Sequence, residues 1–288
     1  MVNTYNTGVY PEEYATMLQE RLDHPVNWKE FCDVIYSDIK IFNLPYMSTE
    51  FAVQTGTRGT AYGFSDFALT NDTIDIATKV IEPVYIDRAD LAQMGSLVNQ
   101  SSIATRQASH LMERIETRLL ADFGEWTDIG DSAGVVTSGV TSAITVSATN
   151  IDDIVRGVRR IVTVANGDEM AKRYGIGFIW RAVDFEALEQ FAQANGFNLA
   201  DQYLKNGIER GVFYLGAWHY VSNEHTANHV LCGVRKIIKI GILRSTWGQV
   251  VITQDPSLQS GIGIIARADF DVMTPNGLNT IVFDLNVA

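Results

Sequence analysis

A proline-free run from Asp90 to Trp126 constrains this chain more than any other feature. Leu91, Met94, Val98, Ser101, Thr105, Ala108, Met112, Ile115, Leu119, Phe123 and Trp126 recur at steps of three and four, which predicts one face of a helix. Asp90 can cap its start and Gly124 can close its end. At ~1.5 Å per residue such a helix reaches about 50 Å, whereas ordinary helices average about 11 to 12 residues. In a chain of 288 residues, an element of that length must be a beam on which the others lean. A kink, if one occurs, falls in its polar middle, Asn99 to Thr105.

Around that beam the sequence reads in segments. Pro11 to Lys40 is an amphipathic arm: Tyr14, Met17, Leu18, Arg21 and Leu22 predict a first helix, Pro25 ends it, and Trp28, Phe31, Cys32, Ile35 and Ile39 resume helical spacing. The arm is too short for a core of its own and must dock on this chain or on a neighbour. Asn43 to Pro83 is a long β excursion with a glycine-rich tip at Gly56 to Gly59. Its strands are expected at Phe51 to Thr55 and Asp75 to Ile81. Isolated hairpins are marginal in water, so this one calls for a second subunit or acts as a mobile loop over a site. Beyond the long helix, Gly130 to Ser147 suits a hairpin, and Asn150 caps a helix from Ile151 to Ala165 that ends at Asn166-Gly167. Asp184 caps another helix, to Ala194, and a short one runs from Asn198 or Asp201 to Asn206-Gly207. Strands are expected at Gly175 to Ala182, Val212 to Val221, Val230 to Val234, Ile237 to Leu243, Gln249 to Thr253, Ile262 to Val272 and Ile281 to Leu285. The fold class is α+β.

Composition narrows the function. A formal net charge of −12 disfavours tight, direct grip on nucleic acid, which needs a basic face. The densest basic groups, Arg156, Arg159, Arg160 and Arg235, Lys236, Lys239, are small clusters that read as solvated or salt-bridged. No apolar run approaches the 18 or so residues of a membrane span, and no secretory signal is visible. Cys32 and Cys232 suggest two partly buried thiols in a reducing compartment rather than a disulfide framework.

The search for chemistry returns no persuasive constellation. His225 and His229 stand four apart beside Glu224, but the segment reads as a turn and lacks a third ligand in the usual order. Gly175 to Gly177 and Gly261 to Gly263 lack the setting of a dinucleotide site, and Gly56 to Gly59 is not a phosphate loop. Asp152-Asp153 sits at a helix start, where negative charge offsets the macrodipole. No catalytic residue, cofactor or metal is expected.

The order of segments carries more: apolar arm, glycine-tipped β excursion, beam-like helix, compact α+β region, and a closing strand with Arg267, Asp269 and Phe270 that ends near Pro275. This order resembles the major capsid proteins of tailed bacteriophages, with the Hong Kong 97-type fold. The resemblance implies an N-terminal arm (residues 1–42), an extended loop (43–84), a peripheral domain with the spine helix (85–149 and 249–288) and an axial domain (150–248). It implies a subunit that self-assembles, as hexamers and pentamers, into an icosahedral shell enclosing double-stranded DNA without strong specific binding. Trp28, Phe31, Phe51, Arg58, Tyr62, Phe64 and Lys79 are then the candidate intersubunit contacts. The partners implied are other copies of the chain, a separate scaffolding protein, a portal and a decoration protein, with no membrane; the location is the virion. No covalent Lys–Asn crosslink is expected from Lys79 and Asn71. The alternatives are an encapsulin-type nanocompartment shell and, less favoured, an α+β metal-dependent enzyme using His225 and His229.

Overall fold

A computed structural model describes residues 11–22, 26–47, 69–87, 100–165, 167–196, 211–226, 228–253 and 261–288. Within these, two large sheets share one continuous apolar core. The first is built on β13 (Gly261–Met273), which pairs antiparallel with β4 (Thr78–Asp87), β12 (Gln249–Thr253) and β11 (Lys239–Leu243); β1 (Asp33–Ser37) then adds parallel to β11. The second has the order β6-β5-β14-β10-β7-β9-β8. It comprises β5 (Thr127–Ser132), β6 (Val135–Ser138), β7 (Ile176–Arg181), β8 (Val212–Tyr214), β9 (Ala217–Ser222), β10 (His229–Val234) and β14 (Val282–Asn286). A small third sheet pairs β2 (Ile41–Met47) with β3 (Leu69–Asp75).

The arm departs from expectation. Helices α1 (Pro11–Leu22) and α2 (Asn27–Phe31) form, but the run through Ile35 is strand β1 rather than helix. Val34, Ile35 and Tyr36 favour strand, and register against Ile240, Gly241 and Ile242 gives their backbone a ladder that a short helix could not match. The arm also docks on its own chain: Leu18, Leu22, Trp28, Phe31 and Cys32 are buried in the shared core. Lys236 fastens it, its Nζ donating to the carbonyls of Lys29 at 2.5 Å and Cys32 at 2.8 Å.

The beam is helix α3 (Gln100–Leu120); the stretch 88–99 lies outside the described residues. It stops six residues before Trp126. Asp122 takes the Arg118 guanidinium at 2.8 Å, a single 3-10 turn follows, and the Trp126 indole turns to donate to Thr274 Oγ1 at 3.1 Å. The buried face runs through Ala104, Ala108, Leu111, Met112, Ile115 and Leu119, while Thr105 is exposed. Ile115→Val removes one methyl group from this packed face and should cost about 1 kcal/mol in denaturant unfolding.

Segments and sheets do not coincide. Strands β5, β6 and β14 join the sheet of the 150–234 region, whereas β11 joins the sheet that carries α3. The expected strand at Asp75 to Ile81 is two strands, β3 and the ten-residue β4, and the one at Val212 to Val221 is the β8–β9 hairpin. The β5–β6 hairpin forms as expected, with positive φ at Ala133 (54°) and Gly134 (83°), the turn geometry that matches strand twist. Helices α4 (Ile151–Val164), α5 (Asp168–Tyr174) and α6 (Ala182–Ala194) cover this sheet. Two expected caps are corrected. Asn150 Oδ1 accepts from Ser147 N and Oγ instead of from α4, and Asp184 lies inside α6, held by Arg181. The expected strand at Phe51 to Thr55, the glycine tip and the short helix at 198–207 lie outside the described residues.

Candidate assembly surfaces

The candidate contact residues fall into three groups. Trp28 and Phe31 are fully buried in the chain's own core, which corrects their reading as contacts offered to a neighbour: their apolar area is spent within the subunit. Phe51, Arg58, Tyr62 and Phe64 lie outside the described residues. Lys79 is exposed, on the outward face of β4 together with Ile81, Pro83 and Tyr85. Alternation explains this face. Val80, Val84 and Ile86 point toward α3 and the core, so the odd-numbered positions point out. Val251 of β12 and Ile265 of β13 continue the strip across the sheet. Ile81, Tyr85 and Val251 are 44%, 48% and 48% exposed, an apolar strip that a subunit with no partner would leave in water. Within β13, Arg267 clamps Asp269 through Nε at 2.8 Å and a terminal nitrogen at 2.5 Å. The Asp269 backbone amide donates to Thr246 Oγ1, which ties this strand to the turn before β12.

His219, His225 and His229 serve packing. His219 is buried, accepts from the Trp180 indole at Nδ1 (2.9 Å) and donates from Nε2 to the Tyr214 carbonyl (3.0 Å). Burial lowers its pKa to about 4, so it is neutral. His229 stacks on Phe123 with ring centroids 3.9 Å apart and pairs with Asp284 at 2.6 Å. Burial holds Asp284 above the ordinary carboxylate range. His225 is also kept neutral by burial, its pKa lowered to about 4. Among the described residues no group of three His, Cys, Asp or Glu side chains is placed to hold a metal ion. Both cysteines are buried, and burial pushes their thiols up.

One polar junction was missed in the sequence. Where α3 meets the loop after β9, Thr117 donates to Glu224 at 2.6 Å, His110 meets Glu82 at 2.8 Å, and Glu113 lines the same cleft. Glu116 beside them is largely buried, with one carboxylate oxygen lacking a partner among the described residues. Burial raises its pKa to about 7; Glu224 and Glu113 push it the same way, and a hydrogen bond with Ser222 opposes. Glu116 follows Ile115 on the border of the apolar stripe. That adjacency was the only signal for its burial.

No protein-family profile matches the chain, and no curated protein matches it in sequence. Solved structures do. The virus-like particle from Pyrococcus furiosus superposes with a TM-score of 0.57 over 96% of this chain and 98% of its own, at 12% identity. The capsid of Ralstonia phage GP4 gives 0.59 over 92% of each chain, at 7% identity. This chain has the Hong Kong 97-type capsid fold. A structure from Mycobacterium phage Che8 adds a TM-score of 0.58 over 85% of this chain and 84% of its own, at 16% identity. At such identities it is the Hong Kong 97-type architecture that persists while the side chains filling it have been replaced, which is how cores tolerate substitution when volume and pattern are kept.

Proposed function

We propose that the chain is a major capsid protein, which self-assembles into the icosahedral head shell of a tailed bacteriophage around double-stranded DNA. The observation that carries this is the near-full-length structural match in both directions to a phage capsid chain and a virus-like particle chain. The apolar strip on β4, β12 and β13 supports it, because a permanent assembly buries such surface, commonly ~2,000 Å² or more per interface. On this reading the seven-stranded sheet with α4 to α6 is the axial unit, and α3 with the β13-centred sheet is the peripheral unit. The extended loop, residues 43–84, would overlap a neighbouring copy, with Phe51, Arg58, Tyr62, Phe64 and Lys79 as its candidate contacts. The role is structural rather than catalytic, and the scaffold, portal and decoration proteins are separate chains.

Electron microscopy of the purified protein, with elution size in parallel, tests the reading. Closed thin-walled particles, tubes, or rings of five and six are expected. A monodisperse monomer or dimer that stays unassembled with crowding agents or scaffold would overturn it, and enclosed protein instead of DNA would favour a nanocompartment. Deleting residues 56–63 should leave a soluble subunit and abolish large particles; normal assembly of that variant would dismiss this overlap.

A further inference from the structure

Helices α4 and α6 lie side by side on one face of the seven-stranded sheet. Helix α4 covers the half toward edge strand β6, and α6 packs on β7 and β9, toward edge strand β8. Their charged residues differ: α4 carries Asp152 and Asp153 with Arg156, Arg159 and Arg160, whereas α6 carries only carboxylates. On the β6 flank, Arg156 and Arg160 border a cleft with Val135 and Val136. Arg160 donates to the Val136 carbonyl at 2.8 Å, and among the described residues no carboxylate lies within ion-pair distance of it. Arg156 is shared by Asp152 at 2.7 Å and Asp153 at 3.7 Å, yet its side chain remains 63% exposed. The α6 sequence, Ala182–Ala194, holds no lysine or arginine. Glu186 and Glu189 are exposed three positions apart; partial burial and then the neighbouring Glu186 raise the pKa of Glu189, and no described cation pairs with either. Each flank also exposes an apolar residue, Val135 on β6 and Val183 on α6.

A subunit with an arginine-bearing flank, whose Arg160 has no carboxylate partner among the described residues, and a carboxylate-bearing flank with no described cation partner is suited to heterologous, head-to-tail contact, the kind that closes into rings. The chain's charge of −12 makes copies repel each other wherever contact is not compensated, so the few places with local cations set the register. We infer that neighbouring copies pack head to tail with the α4–β6 flank of one against the α6 flank of the next, Arg156 and Arg160 facing the next copy's Glu186 and Glu189. This rests on the shell reading and specifies how the axial units meet.

Charge exchange in the full chain tests it. R156E/R160E and E186R/E189R should each lower the fraction of protein in particles at least tenfold, and the fourfold variant should restore it. A salt series gives a reading independent of folding. Salt screens the general repulsion between copies as well as this contact, so the reading is the difference: rising salt should favour assembly of R160Q/E189Q relative to wild type. The inference is overturned if both reversals assemble like wild type, if the fourfold variant melts like wild type yet stays unassembled, or if R160Q/E189Q keeps the full salt response. Particles of R156E/R160E that form normally but retain less DNA would assign the α4 flank to nucleic acid and also overturn it. Wild-type protein that never assembles removes the shell reading itself; wild-type assembly indifferent to these charges removes only this contact.

Discussion

Gly233→Ala is expected to cost about 3–5 kcal/mol, a large part of the ~5–15 kcal/mol that holds an ordinary domain together. Gly233 lies in β10, between β14 and β7, with φ of +138°. A methyl group there would stand 2.5 Å from the Ile281 carbonyl oxygen and 2.9 Å from the Val282 Cα. Both are backbone atoms at the start of a central strand, so no rotamer change relieves the clash, and β10 must part from β14. The left-handed backbone adds strain of its own. Chemical denaturation of the unassembled subunit checks this, with Gly124→Ala as the control, since nothing lies within 4 Å of that Cβ position. The control should shift by less than ~0.5 kcal/mol. A Gly233→Ala subunit as stable as the control would mean the β10–β14 contact is looser than described.

Glu116→Gln should stabilise the subunit at pH 8 by about 1–3 kcal/mol. The folded carboxyl has a pKa of about 7, against an ordinary value near 4.5, because burial disfavours its charge. Between those values the folded state binds more protons than the unfolded one, so this group's contribution is complete at low pH and is lost as pH rises through 7. The amide carries no charge and removes that loss. Asp284, also raised, acts in the same direction; His219 and His225, held neutral, act oppositely, gaining stability as pH rises toward 6.5. The wild-type profile therefore mixes opposing slopes. The informative measurement is the difference between variant and wild type across pH 4 to 8: it should be near zero at the acid end and grow above pH 5. A flat difference would show that Glu116 ionises freely in the folded state.

The same two positions show how far the sequence could be read. Gly233 sits in a strand that apolar run and β-branching made legible, but its need for glycine depends on the approach of Val282, forty-nine positions away in the chain. Glu116 reads as one more polar residue on a helix face, and it is buried only because the Glu224 loop closes over it. The candidate contacts divide in the same way: Lys79 faces outward as alternation along β4 allows, while Trp28 and Phe31 are drawn into the core by the β1–β11 pairing.

Local patterns by themselves determined the amphipathic helices α1 and α4, the body of α3, the β5–β6 hairpin, the strands from β10 to β14 and the α+β class, because periodicity and turn chemistry act within a few residues. The order of those segments sufficed to suggest the Hong Kong 97-type fold. Tertiary structure alone decided that the arm folds back on its own subunit, that β14 crosses to the sheet of β7 to β10 while β11 leaves it, where α3 ends, and which carboxylate is buried. Each of these depends on pairing or covering between residues far apart in the chain, and a sequence pattern carries no record of which distant surface will arrive to satisfy it.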